Sequence, residues 1–385
     1  NWLNALIFLI LIAGHCELWV MLINRVHARP FSCRTLRNTR HLHDVALPLF
    51  PVLLVWRVGL TGPRLLLDGS WSELPVGWTV YLGLCAVGAA ALTFAALRWQ
   101  LHRPPRRQTE NHSRIVDVAE RLGERPVGDG PFRFLLRVPG NEAFQVELTE
   151  KTFRLPRLSR EWDGLSVLHL SDLHYIGTPD VRYYRELMEL AAERPVDLIM
   201  FTGDLLDRQE LVEWLPETLG RLSAPLGRYF ILGNHDWFLE PHAIRRALGE
   251  LGWRDVAGRV LRVAHRGHTL SIGGTEQPWM GAHPDFTALE TEAFRLLLSH
   301  TPDNLSWARS QGIDLMLSGH NHGGQVVLPV LGPVYSPSRY GVQYAAGTFW
   351  RPPTLLHVSR GVAGRHPLRW NCRPEISRLV LRANC

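Results

Sequence analysis

The feature that most constrains this chain is a series of short apolar runs, each ending in a polar cluster. The first is Leu168-His169-Leu170-Ser171-Asp172-Leu173-His174. It is followed by Gly203-Asp204-Leu205-Leu206-Asp207, Gly233-Asn234-His235-Asp236, Ser299-His300 and Gly319-His320-Asn321-His322-Gly323-Gly324-Gln325. A short apolar run bounded by polar residues reads as a buried strand, and open α/β sheets carry their ligands beyond the C-terminal strand ends. The clusters supply carboxylate, amide and imidazole donors, a mixture that suits two close divalent transition metals.

From residue 163 the pattern is strand, polar turn, helix, repeated, which predicts layered α/β architecture. Helices are expected over 180–193, 210–222, 241–251 and 302–311. Strands are expected over 197–202, 228–232, 294–299, 313–318 and 325–328. The region 114–156 is mixed, with alternating apolar positions in Phe132 to Val138 and Phe144 to Leu148 that suggest strands.

The first hundred residues are different in kind. Trp2 to Ile23, Val45 to Leu60 and Val76 to Leu97 are apolar runs, and a helix of about 20 such residues crosses a bilayer. The first run contains His15 and Glu17, and the second contains Pro48 and Pro51, which leaves a membrane-lying or re-entrant segment as its alternative. A signal peptide is disfavoured, since no basic stretch precedes the first run and no small-x-small site follows it. Arginine gathers between the first and second runs (Arg25, Arg29, Arg34, Arg37, Arg40) and after the third (Arg98, Arg103, Arg106, Arg107), with only Arg64 between the second and third. Short cytoplasmic loops collect such residues, so three spans with a cytoplasmic remainder are expected.

A length prior of about 150 residues per domain suggests two or three units in 385 residues. The expected division is a transmembrane region over 1–99, a linker with accessory strands over 100–162 and a catalytic domain over 163–385. The net charge of +6 is spread rather than striped, so no nucleic-acid partner is expected. Five scattered cysteines without CxxC spacing indicate neither a disulfide framework nor a zinc knuckle.

The ordered set Asp172-x-His174, Gly203-Asp204-x-x-Asp207, Gly233-Asn234-His235-Asp236, His300 and Gly319-His320-x-His322 resembles the calcineurin-like metallophosphoesterase superfamily. The resemblance covers about residues 163 to 380. The stretch from Gly361 to Leu381 further resembles a membrane-associated bacterial branch with phosphodiesterases and a UDP-2,3-diacylglucosamine hydrolase type. It implies an α/β fold: a metallophosphoesterase-type β-sandwich flanked by helices, here preceded by the transmembrane helical region. It also implies two divalent metal ions, manganese, iron or zinc. Asp204 would bridge them, Asp172, His174 and His322 would complete one site, and Asn234, His300 and His320 the other. Two cations about 3.5 to 4 Å apart can hold a hydroxide between them for in-line attack on phosphorus. His235 is then the donor to a phosphoryl or leaving oxygen, with Asp236 or Asp207 fixing its tautomer. Asp207 equally suits the cap of the helix expected near Glu210. His169 and His357, each inside an apolar run, read as core histidines.

The implied activity is hydrolysis of a phosphodiester or pyrophosphate bond by a metal-dependent enzyme of the bacterial inner membrane, multi-pass, with its catalytic domain cytoplasmic. The expected partners are the membrane and a phosphorylated or nucleotide-linked lipid such as UDP-2,3-diacylglucosamine, an intermediate of lipid A biosynthesis. A broad phosphodiesterase or nuclease, and a non-catalytic membrane receptor or scaffold of the same fold, are the competing readings. Tyr175, Trp237, Phe238, Trp279 and Met280 stand as candidates for an acyl groove or for ordinary loop packing.

Overall fold

The structure is a computed structural model that describes residues 2–265, 267–287 and 293–384. It divides into two compact units. One runs to His102 and includes Leu328–Gln343; the other is Arg103–Val327 with the chain from Tyr344 onward. Residues 103–162 therefore join the second unit, and Leu328–Gln343, expected within residues 163–385, groups with the N-terminal helices.

In the first unit, α1 (Trp2–His27), α2 (Cys33–Leu53) and α3 (Val76–Leu101) are long helices. Three helical stretches, with α2 continued to Thr61, are long and apolar enough to cross a membrane. Pro48 and Pro51 lie inside α2, and the helix continues beyond them with π geometry over Leu54–Thr61. Losing two N–H donors loosens the turn without breaking the run. Close packing of α1 on α3 depends on Gly14 and Gly88. A Cβ at Gly14 would lie 1.8 Å from the Cys85 carbonyl oxygen, and one at Gly88 would lie 2.3 Å from the Gly14 oxygen. His15 is fully partnered across the helices: Nδ1 lies 2.7 Å from the Tyr81 hydroxyl, Nε2 lies 3.1 Å from the Ala46 carbonyl, and the ring stacks on Phe50. The segment Leu328–Gln343 is held by the same unit. Ser336 N–H donates to Asn24 Oδ1 at 3.0 Å, and Gln100 Nε2 donates to the Val330 carbonyl at 2.7 Å.

The second unit carries β1 (Gln108–Asp117), a short α4 (Val118–Leu122), β2 (Gln145–Leu155), β3 (Leu165–Leu170), α5 (Val181–Ala192), β4 (Leu198–Phe201) and β5 (Arg228–Phe230). The chain continues through α6 (Asn234–Trp237), α7 (Pro241–Glu250), β6 (Arg254–Asp255), β7 (Val260–His265), β8 (His268–Thr275), β9 (Phe294–Ser299), α8 (Leu305–Ser310) and β10 (Leu315–Ser318). The two-residue strands β11 (Val327–Leu328) and β12 (Gly332–Pro333) follow, β12 falling in the Leu328–Gln343 segment of the first unit. Then come β13 (Gly347–Arg351), β14 (Thr354–Val358) and β15 (Glu375–Ala383). Two expected elements differ. Residues Arg133–Arg137 form a 3₁₀ turn rather than a strand, after Phe132 adopts a left-handed conformation. The helix expected over 210–222 is two short 3₁₀ turns, Gln209–Trp214 and Leu219–Arg221, separated by Pro216, which cannot donate to a continuing helix.

The strands make a seven-stranded sheet, β1-β2-β15-β3-β4-β5-β6, and a six-stranded sheet, β13-β14-β10-β9-β8-β7. Alternate residues of the central strands face opposite ways, so the seven-stranded sheet has two apolar faces. Val167, Leu198 and Met200 meet Leu270, Leu296, Leu298 and Leu315 of the other sheet in the sandwich core. Leu168, Leu170, Ile199 and Phe201 pack on the opposite face with α5 and α7 residues such as Leu187 and Ile244. Strands β3, β4 and β5 run parallel, as do β9, β10 and β14, so their C-terminal ends gather on common edges.

A polar chain crosses the sandwich interior. Lys151 on β2 pairs with Glu375 on β15, and its Nζ lies 3.2 Å from His357 Nε2. His357 Nδ1 in turn lies 3.1 Å from His169 Nδ1, and His169 Nε2 lies 2.9 Å from the Thr202 hydroxyl. Both histidines are thus partnered core residues.

Candidate metal centre

Each proposed ligand or catalytic residue follows a strand end: Asp172 and His174 after β3, Asp204 and Asp207 after β4, Asn234 and His235 after β5, His300 after β9, His320 and His322 after β10. The turns are tight. Asp172, His174, Asp204, His320 and His322 all have positive φ, between 48° and 69°. Non-glycine residues occupy that region at a cost and persist where surrounding contacts hold them, commonly at functional sites. Gly323 and Gly324 have φ of 64° and 87°, which lets the chain reverse beneath His322.

The seven expected ligands come together. Ligand atoms of Asp172, His174, Asp204 and His322 lie within 4.8 Å of one another, as do those of Asp204, His300 and His320. Asp204 belongs to both groups. Asn234 Oδ1 lies 3.0 Å from His300 Nε2, which places the amide with the second group.

The outer partners fix the imidazole tautomers. His174 Nδ1 lies 2.8 Å from Asp207 Oδ2, His300 Nδ1 lies 2.8 Å from the Thr202 carbonyl oxygen, and His322 Nδ1 lies 3.1 Å from the Ala363 carbonyl oxygen. Those oxygens only accept, so each Nδ1 carries a proton and each Nε2 is the ring nitrogen turned into the cluster. His174 Nε2 and His322 Nε2 then face each other at 3.1 Å, and His300 Nε2 faces His320 Nδ1 at 3.1 Å.

The carboxylates have the same character. Asp204 Oδ2 is buried without a hydrogen-bond partner among the described residues, 3.3 Å from His300 Nε2 and 3.5 Å from His174 Nε2. Buried carboxylates surrounded by imidazole nitrogens are stable only if positive charge lies among them, as protons or as cations. His300 shows the demand directly: burial opposes protonation, yet Asp204 and Asp172 raise its pKa to about 9. The residues fit a pair of divalent cations, which would supply that charge.

The expected catalytic residues separate into two roles. Asp207 is a hub: Oδ2 takes His174 and Oδ1 takes His235 Nδ1 at 2.6 Å. Burial would raise its pKa, but His235 and His174 hold it far below the usual carboxylate range. Its carboxylate is committed to imidazoles rather than to a helix cap. His235 is opposed by burial but raised to about 9 by Asp207 and Asp204, which makes it a proton donor at neutral pH. Its Nε2 edge is the open one, with the side chain 23% exposed.

Of the two carboxylates expected as alternatives for orienting His235, Asp207 takes that place and Asp236 does not. It accepts N–H donors from Gly233 at 2.9 Å, Leu205 at 3.0 Å and Leu206 at 3.0 Å, and so ties the β5 loop to the loop carrying Asp204. Its place right after the histidine suggested contact, but α6 turns the side chain away. Burial and the charge of Asp204 raise its pKa to about 6, against those donors.

Three features had no local signal. Thr202 and Ala363 act through backbone carbonyls, and Arg365 lies with its guanidinium 3.5 Å from Asp207 Oδ1 and its side chain 53% exposed at the mouth of the cluster. Of the aromatic residues considered for a groove, Tyr175 is fully buried and donates to Thr218, so it packs the core. Trp279 lies against His300 and His320, with ring centroids 5.7 and 5.0 Å away.

One glycine, not itself a proposed ligand, tests the site. A Cβ at Gly319 would lie 1.8 Å from Ser171 Oγ and 2.2 Å from Asp172 Oδ2. Gly319→Ala must displace the Asp172 carboxylate. It is expected to weaken divalent-metal affinity by about 10- to 100-fold, the range seen when the groups that orient metal ligands are disturbed. Metal retained after dialysis against graded chelator measures this; unchanged retention would show that Asp172 is not a ligand.

Comparison with known proteins agrees with this geometry. The calcineurin-like phosphoesterase family matches residues 165–324, from the start of β3 through Gly324. The metallophosphoesterase YkuE of Bacillus subtilis is 30% identical over 253 residues, which is 63% of this chain and 87% of that protein. The phosphodiesterase YaeI of Escherichia coli is 30% identical over 220 residues, 56% of this chain and 81% of that one. The UDP-2,3-diacylglucosamine pyrophosphatase LpxG of Chlamydia muridarum is 27% identical over 289 residues, 60% of this chain and 88% of that one. With the clustered carboxylates and imidazoles lying inside the matched segment, the chain belongs to the calcineurin-like phosphoesterases and is a metal-dependent phosphoester hydrolase.

Proposed function

We propose that this hydrolase is a multi-pass protein of the bacterial inner membrane that cleaves a phosphodiester or pyrophosphate bond in a lipid-linked substrate such as UDP-2,3-diacylglucosamine, with its catalytic unit on the cytoplasmic side. The observation that carries the catalytic part is the convergence of the His174, His322, His300 and His320 ring nitrogens on Asp172 and Asp204. In this reading Asp172, His174, Asp204 and His322 hold one cation, and Asp204, Asn234, His300 and His320 hold the other. Bound there, two divalent cations supply Lewis-acid charge that makes water acidic enough to attack and offsets the charge on phosphoryl oxygens.

The chain's own groups do the rest. Asp207 holds His235 with its protonated Nε2 edge outward, in position to donate to the leaving oxygen as the phosphorus–oxygen bond breaks. Arg365 offers a half-exposed guanidinium beside it for a phosphoryl oxygen. Trp279 packs its ring against His300 and His320.

The lipid and membrane parts rest on the three apolar helices, the arginine-rich loops and the similarity to a UDP-2,3-diacylglucosamine pyrophosphatase. A helical anchor keeps the catalytic unit near lipid head groups, and cytoplasmic arginines favour an anionic leaflet. Full-length protein in detergent with manganese is expected to release UMP and lipid phosphate from UDP-2,3-diacylglucosamine faster than it cleaves bis-p-nitrophenyl phosphate. Cleavage of the small diester with the lipid left intact would discard the lipid substrate and keep the hydrolase.

A further inference from the structure

Arg369 lies on the connection from β14 to β15 and is 2% exposed. Burying a guanidinium is costly unless its donors are satisfied. Here the acceptors are backbone carbonyls from two loops. Nη1 donates to the His322 carbonyl at 3.0 Å and to the Arg360 carbonyl at 2.8 Å, and Nη2 donates to the Ala363 carbonyl. That Ala363 oxygen also receives His322 Nδ1–H. Cys372, three residues on, adds an Sγ–H donor to the His322 carbonyl at 3.2 Å.

The two loops lead to opposite halves of one ligand group. His322 lies in the loop after β10, a strand of the six-stranded sheet. Val362 and Ala363 lie along the loop after β3, a strand of the seven-stranded sheet: their N–H groups donate to the Ser171 and Asp172 carbonyls, both at 3.0 Å. Gly361 fits so closely there that a Cβ on it would lie 2.7 Å from the Asp172 Cβ. Arg369 therefore joins the backbone of His322 to the strip of chain bonded along Asp172. Strand pairing does not make this link, since β3 and β10 are in different sheets. The His322 loop needs such a hold. His322, Gly323, Gly324 and Gln325 have φ of 50°, 64°, 87° and 57°, and left-handed backbone at non-glycine residues persists where outside contacts impose it. In the second ligand group, His300 takes its orientation from the Thr202 carbonyl instead.

We infer that Arg369 is a positioning residue for one of the two proposed cation sites, that of Asp172, His174, Asp204 and His322, and that it acts by locking the His322 loop to the Asp172 loop. The inference rests on the ligand assignment given above. The fork of the guanidinium is what the clamp requires: two nitrogens hold three carbonyls in fixed geometry, which a lysine ammonium, a single point of attachment, does not reproduce.

The test is manganese titration of the full-length protein in detergent, with free manganese read from its electron paramagnetic resonance signal. Wild type is expected to bind two ions, and His322→Ala and His320→Ala to keep one tight ion each. Arg369→Lys is expected to weaken the ion left in the His320→Ala background by about tenfold or more, the effect of disturbing a group that orients a metal ligand. In the His322→Ala background the same change should alter affinity by less than about twofold, as for independent sites. Fewer than two ions in wild type, or two tight ions in either histidine variant, would overturn the ligand assignment and the inference with it. With that assignment standing, equal weakening in both backgrounds would reduce Arg369 to general packing, and no weakening in His320→Ala would remove the clamp; either result overturns the inference alone. If thermal melting shows Arg369→Lys to be unfolded, Cys372→Ala decides in its place, because it removes one donor to the His322 carbonyl and leaves the buried charge untouched. A loss of about two- to tenfold confined to the His320→Ala background is then expected, and no loss, or equal loss in both backgrounds, overturns the inference.

Discussion

Asp204→Ala is expected to reduce metal-dependent diester hydrolysis by about 10³-fold or more, which corresponds to a loss of roughly 4 kcal/mol of transition-state stabilisation. Asp204 is the residue that both ligand groups share. Its Oδ2 faces His300 and His174, while Oδ1 accepts the His235 backbone N–H at 2.9 Å. Removing it therefore takes one donor from each proposed cation, one anion from a pocket of imidazoles, and one anchor from the loop that carries the proton donor. Metal content and rate should fall together. Asp204→Asn preserves shape and the oxygen facing His235 but removes the charge, so a nearly wild-type rate in that variant would show that the carboxylate does not bridge two cations.

The second large effect is on stability and lies away from the ligands. Glu375 is 2% exposed and accepts from Lys151, from Thr149 at 3.0 Å and from Arg360 Nε at 3.2 Å. Glu375→Ala leaves Lys151 buried with uncompensated charge and Arg360 with Glu147 as its remaining carboxylate, and breaking a buried pair in this way costs about 3–5 kcal/mol. The full-length protein should unfold at lower temperature and lower denaturant concentration, with hydrolysis per folded molecule little changed. An unshifted melting curve would show that the network is not a source of stability.

The pH dependence of the same network has a definite sign. Burial raises the Glu375 carboxyl, but Lys151 and Arg360 outweigh it and hold it well below its usual range. Its contribution is present above the unfolded carboxyl pKa of about 4.3 and is lost only as pH falls towards the lower folded value. His169 is lowered to about 3 by burial. Unfolded chains therefore bind its proton first, and stability should decline as pH falls from about 6.5 towards 3. Denaturant midpoints measured over that interval would reveal this decline.

The chemistry was legible in the sequence because its donors are local to strand ends. Asp172-x-His174, Gly203-Asp204 and His320-x-His322 each place proposed ligands within one turn, and parallel neighbouring strands within each sheet gather those turns at its C-terminal edge. Apolar length likewise marked the three membrane-length helices, since hydrogen bonding within a helix needs no distant partner. What only tertiary structure decided were pairings between elements far apart in the chain. Asp207 serves two imidazoles rather than a helix end, and Asp236 serves backbone donors rather than His235. His169 and His357 join Lys151 and Glu375 across 224 residues of sequence through a sheet order that no local pattern encodes. A short motif determines which donors exist; sheet order and burial determine which of their atoms face each other, and that in turn fixes tautomer, charge and role.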